Sequence, residues 1–237
     1  MSPRHSIRSD ITYQLLLSFA GLLLVVALTV FPPTATEDNP LRKPIIGSIF
    51  STFCVLGVLA VFSPNKCGKI LDRKKENDGS DSAMSNGTDT VLRGHHPTCG
   101  KYSAHVFRIG DSTLCAACVG LLTGGLLALA GAVIYFFCDW RVTEYSVLIV
   151  LLGVVGTSLG LFQFKVKGLI RLSVNIIFVL GALLILIGVD ASVHSLFFDL
   201  FVICLIVFWL FTRISLSQWD HEIICSNCET ENCNYRA

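Results

Sequence analysis

Charge is scarce in this chain. Asp, Glu, Lys and Arg make up 15% of its 237 residues, hydrophobic residues make up 53%, and the mean hydropathy is +0.67. The few charges are clustered, so long stretches carry almost none. A basic excess is also missing: a net charge of +1 excludes a nucleic-acid partner, since a phosphate-binding surface requires one. No phosphate-cradling loop, nucleophile–base pair or buried carboxylate dyad is legible, which argues against a hydrolase and leans away from an enzyme. No histidine lies deep in an apolar run, against a b-type haem between helices, and Val119 follows Cys118 where a c-type haem attachment needs His. No strong internal repeat is visible.

What is present is a series of apolar runs long enough to cross a bilayer. They fall at 11–31, 44–62, 114–137, 145–164, 169–189 and 193–211. Pro32 and Pro33 end the first, because proline cannot donate and disfavours helix before it. Pro44 opens the second and Ser63-Pro64-Asn65 stops it. The first run is too long for a secretory signal core and five more follow, so it reads as a retained helix despite the small residues after it. The expected fold is all-α: a polytopic helical membrane protein of about six transmembrane helices with a small cytoplasmic Cys/His metal-binding element. Its parts are an N-terminal hairpin at 1–63, a polar connector at 64–90, the Cys/His element at 91–120, a four-helix bundle at 114–211 and a Cys-rich tail at 212–237. Lys69 to Asp89 holds almost nothing to bury and is expected to be disordered.

Orientation follows from the lysines and arginines. With six spans, fifteen flank one side and three, Arg42, Lys43 and Arg141, flank the other. Every loop agrees except the first, which ties with the N-terminus. Both termini and the connector are therefore expected in the cytoplasm, with the spans in the plasma membrane and the lipid bilayer as the first partner. The sequon Asn86-Gly87-Thr88 is silent on that side. Thiols there stay reduced, which favours metal binding over structural disulfides.

The chemistry is concentrated between residues 95 and 118: His95, His96, Cys99, His105, Cys115 and Cys118. Zinc takes four tetrahedral ligands, usually thiolate and imidazole, and two cysteines with two residues between them can put both sulfurs on one ion. The preferred set is His96, Cys99, Cys115 and Cys118, with His105 as alternate or supporting ligand. Pro97 stiffens the turn that presents His96 and Cys99. Asp111 and Ser112 are natural caps for the third span, which places Cys115 and Cys118 in its first turn, where the helix dipole favours thiolates. The plain alternative is that the cysteines are small apolar residues at a helix start and the histidines solvated. Six such residues in so short a span argue against it. A redox dithiol at Cys115 and Cys118 is the remaining alternative.

Cys115-Ala116-Ala117-Cys118-Val119-Gly120 at a helix entrance, after His96-Pro97-Thr98-Cys99 and His105, resembles a family of small multi-pass membrane proteins of prokaryotes, often archaea. That family carries Cys-x-x-Cys-x-Gly, often with Arg before the second Cys, where Ala117 stands here. The likeness spans Gly94 to Leu127. It implies membrane location and a shared site, and no particular activity.

The tail offers a second set, Cys225, Cys228 and Cys233, with His221 or the distant Cys67 to complete a tetrahedron; incidental cysteines in an acidic tail are the alternative. Inside the spans ionisable groups are rare, and Asp190, His194, Asp199 and the polar Asn175 stand out. Gly120-x-x-x-Gly124 and Gly156-x-x-x-Gly160 are expected to let helices three and four approach closely, with Gly181 and Gly188 acting likewise in span five. The function expected is a binding or scaffold role built on a structural zinc site, with room for a protein partner or a second copy. Its rivals are a membrane thiol–disulfide oxidoreductase using Cys115 and Cys118, and a small-solute or ion transporter using Asp199 and Asn175.

Overall fold

The computed structural model describes residues 3–33, 39–61, 106–109, 112–138, 140, 142–163 and 166–226. The helices are α1 (Pro3–Val30), α2 (Arg42–Val61), α3 (Ala116–Phe137), α4 (Ser146–Leu161), α5 (Gly168–Val193) and α6 (Leu196–Ser226). A short hairpin of β1 (Val106–Ile109) and β2 (Ser112–Cys115) precedes α3, and one 3-10 turn (Thr143–Tyr145) precedes α4. Six helices are long and apolar enough to cross a membrane. Their apolar residues go nearly all the way round, which suits a helix bounded by lipid and by other helices rather than by water. Leu23, Leu127 and Leu152 are exposed on the outside of the bundle accordingly.

The central helix is α5. Its most apolar window is 56% buried, against 22–39% for the other five, and α4, α3 and α6 all pack on it. The glycines explain the contact and correct the expected pairing. Gly120 and Gly124 of α3, and Gly156 and Gly160 of α4, lie against α5 and not against each other. Gly153 of α4 and Gly181 of α5 meet backbone to backbone: a Cβ on Gly153 would stand 2.7 Å from the Gly181 carbonyl oxygen. Lipid gives apolar side chains no reason to leave it, so close backbone approach and dispersion must hold such helices together. The first helix is stitched to α6 by hydrogen bonds. Trp209 Nε1 donates to the Ser18 carbonyl (3.2 Å), and Ser18 Oγ donates to Thr212 Oγ1 (3.1 Å).

Several expected boundaries move. Leu114 and Cys115 belong to β2 and not to the third helix, and Ser112 is a strand residue, not a cap; Asp111 lies outside the described residues. The apolar pattern runs unbroken from strand into helix, so periodicity could not mark the join. The fifth helix continues past 189 to Val193, where His194 takes a left-handed conformation (φ 52°) that closes it. The sixth continues past 211 to Ser226, since no Gly or Pro interrupts 196–226. The segment 212–226, taken as the start of a polar tail, is thus mostly an extension of α6.

Helix direction alternates along the chain, which gives the bundle two ends. One end gathers the starts of α3 and α5 and the close of α6. The other gathers the start of α2, the close of α5 and the start of α6.

Candidate functional site

At the first end, the strands deliver Cys115 to the mouth of α3. The hairpin pairs Val106 with Cys115 and Ile109 with Ser112. Cys115 is the residue before the first helical position, in extended conformation (φ −76°, ψ 117°), and Cys118 sits one turn on. Gly120 then presses this turn onto α5. A Cβ there would stand 2.6 Å from the Leu172 carbonyl oxygen and 2.7 Å from Asn175 Cβ. The glycine of the Cys-x-x-Cys-x-Gly pattern therefore has a steric purpose: it brings the two sulfurs down to the polar end of α5.

What they meet there is cationic. Arg171 is 2% exposed, with Nη2 3.7 Å from Asp220 Oδ2 on α6. Arg213 of α6 is also buried; its Nη2 donates to Gln163 Oε1 (3.0 Å) and to Asn175 Oδ1, and its guanidinium lies over the Phe178 ring. Asn175 Nδ2 in turn donates to the Arg171 carbonyl (2.7 Å). Arg171 and Arg213 both lie within electrostatic reach of the sulfurs. The Cys118 thiol donating to Cys115 brings the Cys115 thiol down to about 6, helped by the amides of Cys118 and Ala117 and by Arg171, against a burial that pushes it up. Both cysteines are free thiols and partly accessible.

A prediction follows for metal-free protein. Alkylation of Cys115 by iodoacetamide should rise with pH around a midpoint near 6 in the folded state, and near the ordinary thiol value of 9 after denaturation. The folded state favours the thiolate, so this group stabilises the fold fully above pH 9 and loses that contribution as pH falls through 6. Cys118→Ser should move the folded midpoint up. A folded midpoint near 9 in the wild type would contradict the arrangement.

The other expected metal ligands are less evenly placed. His96, Cys99 and His105 lie outside the described residues, as do Cys67, Cys228 and Cys233, and nothing is described of the Cys225 side chain. His221 is half-buried on α6. Among the described residues no three His, Cys, Asp or Glu side chains converge as a metal site, so Cys115 and Cys118 stand there as a pair.

The second end brings together Asp190 and Asp199, which stand out in the sequence, with Arg42 and Tyr135, which do not. Asp190 and Asp199 are both 0% exposed and converge on Arg42: Arg42 Nη1 is 2.6 Å from Asp190 Oδ1 and 2.5 Å from Asp199 Oδ2. Tyr135 donates its hydroxyl to Asp190 Oδ2 (2.7 Å), and Arg42 Nη2 donates to the Asp190 carbonyl (3.5 Å). This corrects two expectations. A buried carboxylate pair does exist, and Arg42 is a buried helix residue, not a loop charge. His194, by contrast, is exposed at the corner. The structure also separates Asn175 from Asp199, placing them in different clusters, one near each end of α5.

No family model matches the chain, and neither does any curated protein or solved structure.

Proposed function

We propose that this is an integral protein of the plasma membrane whose cytoplasmic end carries a structural zinc site, formed by Cys115 and Cys118 with Cys99 and His96, or His105, from the connector. The site fastens the connector onto the bundle and presents it as a docking element. The observation that carries the reading is the Val106–Cys115 pairing. His105 is bonded to the residue that faces Cys115, and Cys99 lies only seven residues before Val106. A chain extends at most ~3.6 Å per residue, so seven residues reach ~25 Å, ample for both donors to return to the sulfurs. Electrostatics support it as well. Zinc held by three thiolates and one imidazole carries one net negative charge, which the buried Arg171 and Arg213 offset. Assignment of this end to the cytoplasm rests on the lysine and arginine bias. Arg42 is occupied by the carboxylates of the far end, so the one loop that tied loses a free charge there.

The lowered Cys115 thiol favours one second reading, a thiol–disulfide oxidoreductase. There the Cys115 thiolate attacks a partner disulfide and releases one partner thiolate. The deprotonated Cys118 sulfur then closes the Cys115–Cys118 bond and releases the second.

Metal analysis separates the two readings. One zinc per chain is expected in protein purified without chelator, lost in Cys115→Ser and equally in Cys99→Ser. Zinc-free protein with a readily reducible Cys115–Cys118 disulfide, indifferent to Cys99→Ser, would establish the oxidoreductase instead.

A further inference from the structure

The cluster at the far end from the cysteines has a charge that does not close. Two carboxylates share one guanidinium, and the three groups together carry a net negative charge if both acids are ionised. Both side chains are 0% exposed and lie within apolar helices, where an uncompensated charge is costly. One oxygen is also left over. Asp199 Oδ1 is buried and has no partner, while Asp190 Oδ1 and Asp199 Oδ2 converge on a single nitrogen, Arg42 Nη1. Two ionised carboxylates cannot hydrogen-bond to one another, because neither has a donor.

We propose that Asp190 and Asp199, clamped by Arg42, form a proton-binding site that holds one proton between the two carboxyl groups. The proton supplies the missing donor and removes the surplus charge, leaving one carboxylate for one guanidinium. Tyr135 fixes the orientation of the Asp190 carboxyl, since its hydroxyl occupies Oδ2 and leaves Oδ1 turned to Arg42. Among the described residues, other titratable groups toward this end include Lys43, His194 and Glu144. The Lys43 ammonium lies over the Tyr135 ring, 5.0 Å from its centroid, and Lys43 itself is half-buried. His194 and Glu144 are exposed to their surroundings. His194 lies between the two acids in sequence, at the corner joining α5 and α6. Loading and loss of the proton change how tightly Arg42 joins α2 to α5 and α6.

Infrared spectroscopy of the purified full-length protein tests this. At neutral pH the wild type should show a protonated-carboxyl C=O stretch that shifts in D2O. The band should vanish in Asp199→Asn and in Asp190→Asn, and persist in Lys43→Gln. Asn is close in size and can donate to the remaining carboxylate, so both Asp variants should fold; near-wild-type helical circular dichroism checks this. A wild type without the band overturns the proposal, as does a band that survives both Asp variants or appears only in Lys43→Gln. A band abolished by exchanging potassium for sodium would overturn it in favour of a metal cation at the same oxygens.

Discussion

Replacing Arg42 with methionine should cost about 3–5 kcal/mol of stability, among the largest losses open to a single residue here. Two completely buried carboxyl groups would lose the guanidinium that both engage. The Asp190 carbonyl would lose a donor as well. Taking a guanidinium out of water is expensive, so the intact cluster contributes far less than the loss of one partner implies. That asymmetry makes a sharper prediction. Adding Asp190→Asn and Asp199→Asn to Arg42→Met should restore most of the stability, because the acids that needed the arginine are gone. Unfolding in mixed detergent micelles, followed by helical circular dichroism, reads both effects. A single variant as stable as wild type would show that the cluster does not hold α2 to the bundle.

The two polar clusters sit near opposite ends of one helix. Arg171 and Asp190 are nineteen residues apart on α5, or about 28 Å along the axis at 1.5 Å per residue, close to the thickness of a hydrocarbon core. Between them α5 is almost wholly apolar. Fixed polar groups at both ends and glycine contacts between them leave this helix little freedom to slide or tilt. Apolar burial alone could not do this, because lipid rewards any apolar face equally.

Much of this arrangement was legible in the sequence. Long apolar runs broken by Pro32, Pro33 and Ser63-Pro64-Asn65 have one physical solution, so the six spans could be found by counting. The spacing of Cys115 and Cys118 likewise marks a pair of sulfurs, because two intervening residues suffice to turn both toward one point. What could not be read was pairing between distant positions. Arg42 looked like a loop cation because it precedes Pro44; only the packing of α2 beside α5 and α6 turns it toward Asp190 and Asp199. Arg171 and Arg213 were tallied as charges flanking the membrane, although both are buried against the cysteine turn. The glycines showed which faces were thin, and not which neighbour filled them. One signal was available: arginines and aspartates inside otherwise apolar runs rarely stand alone, and pairing Arg42 with Asp190 and Asp199 by membrane depth would have found the cluster.

Arg213→Met should be nearly as damaging as Arg42→Met, and it should also alter the thiols. The substitution roughly preserves the length of the side chain but removes the donor to Gln163 Oε1 and Asn175 Oδ1, leaving both buried acceptors without it. Hydrogen bonds to charged groups are worth about 1.5–3 kcal/mol each, and a stranded buried acceptor costs a comparable amount, so a loss of about 3 kcal/mol is expected. Arg213→Lys should recover only part of it, because a single ammonium lacks the flat guanidinium that lies over Phe178. The effect on the cysteines distinguishes a role at the site from one in packing alone. Arg213 reaches both sulfurs electrostatically, so removing its charge should shift the alkylation midpoint of Cys115 upward, while Arg213→Lys should keep it close to wild type. An unchanged midpoint in folded Arg213→Met would mean that the arginine braces the helices without tuning the thiols, and would leave that task to Arg171.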